Sequence, residues 1–268
     1  MKTSNRISQV ILCLVATFAI ALIAVTITKS RSFLKKSGTG KASESATNPQ
    51  IILWAWERPT DLRFLDTKKF AVAFLGKTIQ LKSDDVVVRP RLQSLQVPEG
   101  TRVIAVVRIE TDRDHIPSLS ALQREEAGRA IIAMTSLPNV SEIQIDFDAT
   151  QSQRDFYRQL IFDIRHGLPS NVRLSITALA SWCMYDNWLS DLPIDEAVPM
   201  LFRMSADGKQ IANRLNAGDD FNAEPCRHSY GISMDEQHPK LFPDRKVFIF
   251  NPDAWTANAV REISESSK

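Results

Sequence analysis

From Pro49 onward, short apolar runs alternate with segments of helical or loop character, as in a chain that builds strand and helix in turn. Runs at 51–56, 70–75, 102–109, 141–150, 172–179, 197–204, 230–234 and 246–250 read as strands. Over 118–135 the apolar positions Leu119, Leu122, Ala127, Ala130, Ile131 and Met134 recur at helical spacing, with Ser118 placed to cap them. A second helix is expected at 155–166, closed by Gly167 and Pro169, and others at 209–215 and 254–264. Segments 78–81 and 86–92, either side of Asp84 and Asp85, read as a hairpin rather than a crossover. Strands alternating with helices predict an α/β fold, a somewhat irregular (β/α)8 TIM-like barrel over 49–268. A doubly wound sheet fits less well, because no glycine-rich turn follows the first strand.

The one break in this pattern is at the N-terminus. Lys2 and Arg6 precede Val10–Thr28, which carries no charge. As a helix this run is about 28 Å long, close to the thickness of a bilayer's hydrocarbon core. Residues 1–28 are therefore expected to be a signal anchor or transmembrane helix, and the polar stretch 29–48 a flexible linker. The apolar run continues past the small-residue pattern at Ala19–Ala21, which favours an uncleaved anchor over a removed signal peptide. Lys29, Arg31, Lys35 and Lys36 argue for a cytoplasmic C-terminal side, whereas the signal-like start argues for export. Export is the expectation, with the globular part extracytoplasmic. There Cys183 and Cys226 are either a disulfide or two unrelated buried thiols.

Composition narrows the function less. The 268 residues carry a net charge of +2, and the basic residues are scattered, so nucleic acid is not an expected partner. Gly38-Thr-Gly-Lys41 is superficially like a phosphate loop but lacks the earlier glycine and a preceding strand, and no cofactor is implied. Cys226, His228, Asp235, Glu236 and His238 form only a loose set of metal-ligand types, without zinc-site spacing, and read as solvated loop residues.

The candidate chemistry sits in Ser141-Glu-Ile-Gln-Ile-Asp-Phe-Asp-Ala-Thr150. Side chains two apart on a strand share a face, so Gln144, Asp146 and Asp148 lie opposite Ile143, Ile145 and Phe147. At the C-terminal end of a barrel strand, two carboxylates about 7 Å apart project into the mouth, where such folds keep their chemistry. Such a pair can hold its two pKa values apart, one acid protonated and the other ionised. The structural alternative is an Asp paired with Arg203 or Arg108 and another capping the next helix at Ser152. Other strand ends supply Glu57, Arg108, Glu110, Thr177, Trp182, Arg203 and Asn251. Rings beside acids suit a sugar site, since flat rings stack on sugar faces and carboxyls handle the glycosidic oxygen. One of Trp54 and Trp56 is expected in the core, while Trp182 and Trp188 are the candidates for stacking. Arg203 is expected either to hold a carboxylate or to bind an anionic group of the ligand.

Ile145-Asp-Phe-Asp-Ala149, Gln153–Tyr157, Leu174–Cys183 and Asp195–Met204 together resemble an uncharacterised bacterial family known only as a domain of unknown function, number 3142. The resemblance runs from about Pro49 to Trp255. It implies a bacterial, often membrane-tethered protein, but it brings no established activity. The fourth strand is also similar to that of family 18 glycoside hydrolases, whose run of alternating carboxylates ends in a catalytic glutamate. Here Thr150 stands at that position, and a threonine cannot be the general acid. The expectation is thus a membrane-tethered, glycan-binding barrel, a divergent glycosidase using Asp146 and Asp148, with Glu57 or Glu110 as reserve acid and Arg203, Trp182, Asn251, Arg108 and Thr177 around the substrate. A barrel that binds without turnover, and a metal-dependent hydrolase recruiting His228 or His238, are the alternatives.

Overall fold

The computed structural model describes residues 50–266. The expected anchor and linker at 1–48 lie outside the described residues. Among the described residues, no helix is long and apolar enough to cross a membrane.

The strands are β1 (Ile51–Ala55), β2 (Thr60–Asp61), β3 (Phe70–Lys82), β4 (Asp85–Pro90), β5 (Leu95–Gln96), β6 (Val103–Thr111), β7 (Val140–Asp146), β8 (Arg173–Leu179), β9 (Glu196–Met200), β10 (Ser229–Ser233) and β11 (Lys246–Phe250). The helices are α1 (Ala121–Ile132), α2 (Arg154–Gly167), α3 (Ala180–Tyr185), α4 (Gly208–Ala217) and α5 (Ala257–Ser266). β1, β3, β6, β7, β8, β9, β10 and β11 pair in that order, all parallel, and β1 closes the ring by pairing with both β11 and β3. The fold is a TIM-like barrel.

Its irregularities follow from local sequence. The expected strand at 70–75 and the first arm of the hairpin are one strand, β3, which changes register between Leu75 and Lys77 so that Gly76 sits in the irregularity. Beyond the barrel's edge β3 turns back into antiparallel β4, as the polar Asp84-Asp85 pair predicts. Ser120, not Ser118, caps α1, and the buried Gln123 donates to the carbonyls of Ser83 and Asp85, tying that helix to the hairpin turn. β9 ends at Met200, four residues before the apolar run does.

Alternation along each strand sorts the side chains into two compartments. Outward residues such as Ile143, Ile145, Leu174 and Ile176 pack against Phe156, Leu160, Ile161 and Ile164 of α2, all buried. Each such side chain withdrawn from water contributes about 1.5–3 kcal/mol before entropy is charged against it. Inside the barrel, Ile52, Trp54, Ala71, Ala73, Ile104, Val106, Val198 and Phe248 form a separate apolar cluster. Below it, toward the strands' N-terminal ends, lies a charged plug. Glu142 is bonded by Arg102 at 2.9 Å and approached by Arg173 at 3.5 Å, and Glu196 pairs with Lys246. Both glutamates are fully buried, and burial together with the charge of Glu196 pushes the Glu142 carboxyl above the usual range.

Candidate active site

The C-terminal mouth of the barrel holds a cavity of about 710 Å³. The inward positions of successive strands reach it as alternation requires: Trp54 and Trp56 from β1 and its extension, Leu75 and Thr78 from β3, Val106, Arg108 and Glu110 from β6, Asp146 from β7, Thr177 and Leu179 from β8, Met200 from β9 and Phe250 from β11. Phe202, Arg203, Glu57, Asp148 and Arg89 complete the lining from loops and the hairpin.

Both tryptophans of the first strand belong to this hollow. Trp54 is buried on its floor, where its indole Nε1 donates to Gln144 Oε1 at 3.0 Å. Gln144 donates weakly to Ser175 Oγ at 3.4 Å, and Ser175 donates to Glu142 Oε1 at 2.6 Å, so a polar column runs from the floor down to the charged plug. Trp54 meets Phe202 edge-on at 6.4 Å, and Phe202 stacks on Phe250 with 3° between planes. Trp56 stands higher, edge-on to Phe250 at 6.2 Å, with the Arg108 guanidinium 5.6 Å from its ring centre.

The two aspartates differ sharply. Asp146 accepts from Arg108 Nη1 at 3.1 Å and from Thr177 Oγ1 at 2.8 Å, and Arg108 turns its Nε to Glu110 at 2.8 Å. Burial pushes the Asp146 carboxyl above the ordinary carboxylate value, outweighing the pull of Arg108 and Thr177; the charge of Asp148 adds to the rise. Asp148 is exposed. β7 has already ended, and the Ala149 amide donates to Phe147 O at 2.8 Å, so Asp148 rides on a tight turn rather than continuing the strand. Among the described residues its carboxylate has no hydrogen-bond partner. Asp148 also lines a smaller lobe of about 370 Å³ with Arg108, Glu110, Arg113, Thr150 and Gln153.

Thr150 has a local role. Its amide donates to Gln153 Oε1 at 2.9 Å and its hydroxyl lies 3.1 Å from Ser152 Oγ, closing the 3-10 turn Gln151–Gln153 that leads into α2.

Of the residues expected at the site, Asp146, Asp148, Glu57, Glu110, Arg108, Thr177 and Arg203 surround the mouth. Trp182 and Asn251 do not. Trp182 lies on α3, immediately after β8, and is buried edge-on against Trp188 at 5.0 Å, with Arg154 over its ring at 5.8 Å. Asn251 follows Phe250 and so points away from the barrel axis; its Oδ1 accepts from the Asp253 amide at 3.0 Å. Arg203 pairs with neither aspartate: it lies past the end of β9 on a turn with φ +49°. Neither His228, bonded to Glu224, nor His238, bonded to Pro239 O, lines the mouth, and among the described residues no group of three metal-ligand types converges. Phe202, Phe250 and Arg89 line the hollow without having been expected there.

No family model matches the chain, and no curated protein does. A solved structure, the chitinase domain of the spore coat protein CotE from Clostridium difficile, is similar at 14% identity, covering 80% of this chain and 68% of that one, with a TM-score of 0.39. A likeness that slight says nothing about chemistry.

Proposed function

We propose that this protein is a carbohydrate-binding barrel that acts as a divergent glycosidase, extracytoplasmic and tethered through the apolar run at 10–28, and related to the uncharacterised family its motifs resemble. One observation carries the reading: a single hollow of about 710 Å³ presents the rings of Trp56, Phe202 and Phe250 beside Asp146, Asp148, Glu57 and Glu110. Stacked rings bind the apolar faces of sugars, and neighbouring carboxyls serve the glycosidic oxygen and the cationic ring that forms as it departs. Asp148, solvent-facing and without a hydrogen-bond partner among the described residues, is the carboxyl placed to meet the scissile bond. Asp146, pinned by Arg108 and Thr177, is a carboxyl fixed in place beneath the reacting ring, which in its ionised form steadies the cation. Glu110 and Glu57 are the acids available as the second carboxyl.

A soluble barrel domain screened against a glycan library for both retention and cleavage tests this. Cleavage is expected, with Asp148→Asn lowering the rate roughly a hundredfold or more while retention persists. Unchanged cleavage by Asp148→Asn would falsify the catalytic part. A second reading, an envelope module that binds without turnover, has its own observation in Thr150, which caps a turn where the glycosidase pattern expects a glutamate. Retention with no cleavage by the unmutated domain favours it.

A further inference from the structure

The mouth also carries cations that its acids do not use. Arg108 is committed to Asp146 and Glu110. Arg203 is not committed: among the described residues its guanidinium has no carboxylate partner, and it lies exposed over the Phe250 ring at 5.4 Å. Its backbone takes a left-handed conformation that costs any residue with a side chain, and the amide of that strained residue donates to Glu236 Oε2 at 2.9 Å. A carboxylate is therefore present, but it holds the backbone and leaves the guanidinium to the hollow. Arg89 reaches the same hollow from β4, and among the described residues its guanidinium donates to the neutral side chain of Gln80 at 2.9 Å and to no carboxylate. Of the two roles open to Arg203 from sequence, the first is removed.

We infer that the ligand is an acidic glycan, a sugar chain bearing a carboxylate or phosphate that docks on Arg203, with Arg89 beside it, while its uncharged ring lies against Phe202 and Phe250. The inference rests on the carbohydrate reading above. The planar guanidinium, already oriented by the ring beneath it, suits bidentate capture of either oxyanion. Asp148 and Glu57 on the rest of the rim repel the same charge, which fixes the direction in which an acidic unit can seat.

The test is an array of oligosaccharides bearing uronate, lactyl or phosphate groups, each paired with its neutral counterpart, carboxyl-reduced or dephosphorylated, and probed with the full-length protein. For at least one pair the acidic member is expected to bind roughly ten- to a hundredfold more tightly, the worth of one charge-assisted contact. Arg203→Gln should bring that ratio near one. Arg203→Gly should do the same, and because glycine accepts the positive φ freely, that variant guards against misfolding as the cause. The arms of the array separate carboxylate from phosphate. Equal binding of charged and neutral members overturns the inference and leaves the carbohydrate reading standing. A charge preference untouched by Arg203→Gln overturns the role of Arg203. No binding across the array overturns both.

Discussion

Asp146 has a cost as well as a use. Its carboxyl is biased toward the protonated form by burial, and an acid whose pKa is raised by folding lends its full stability only below the unfolded value near 4. That contribution is lost as the pH rises through the folded value. Asp146→Asn should therefore be more stable than the unmutated protein at neutral pH, by on the order of 1 kcal/mol, with the gap closing in acid. Thermal midpoints recorded across the pH range check it; a variant less stable at neutral pH would show that the Arg108 contact outweighs burial. Asp146 itself was legible from the period of two along β7. The same rule, carried along β11 from its inward Lys246 and Phe248, reaches Phe250 and excludes Asn251. Trp182 escaped because a helix begins one residue after β8, and strand parity has no meaning beyond that point. The free state of Arg203 was not legible, since it depends on a left-handed turn that an arginine does not announce.

Among the elements, β10 lines no part of the hollow but shapes it through the room that Gly231 leaves for the floor. Gly231 faces the barrel axis, and a methyl there would sit 2.9 Å from Met200 Sδ and 3.1 Å from the Trp54 indole. Met200 can swing away; the buried indole, hydrogen-bonded to Gln144, cannot. Gly231→Ala should cost about 1–3 kcal/mol in denaturant unfolding and weaken glycan retention by displacing the floor. Full stability in that variant would mean that the indole is not held where it lies. Most elements were readable from periodicity because strand and helix repeats differ so clearly, and β11 coincides with its apolar run at 246–250. The run at 197–204 overshot β9, since nothing apolar or polar marks where a strand hands over to a turn whose residues still line the hollow. Joining 70–75 to 78–81 needed the register change at Gly76, which is decided by pairing with β6 and not by β3 alone.

At the scale of the whole molecule, the Cys183–Cys226 disulfide resolves the alternative left open by sequence. It ties α3 to the turn before β10 across 43 residues of chain, and a loop that long is worth about 4 kcal/mol on the chain-entropy account. Reduction, or Cys226→Ser, should lower the midpoint of thermal unfolding by roughly 10 °C; a midpoint unmoved by reductant would show that the native packing alone suffices there. Closure of the barrel could be expected from eight strands, but the buried charges beneath it could not, because Glu142, Glu196 and Lys246 in sequence look like ordinary surface residues. Their position has a further effect. With the lower end of the barrel stoppered by ions and the middle filled with rings and aliphatic chains, nothing threads through the barrel that the described residues form: what enters must leave by the same doorway, and a long polymer can only be laid across the threshold.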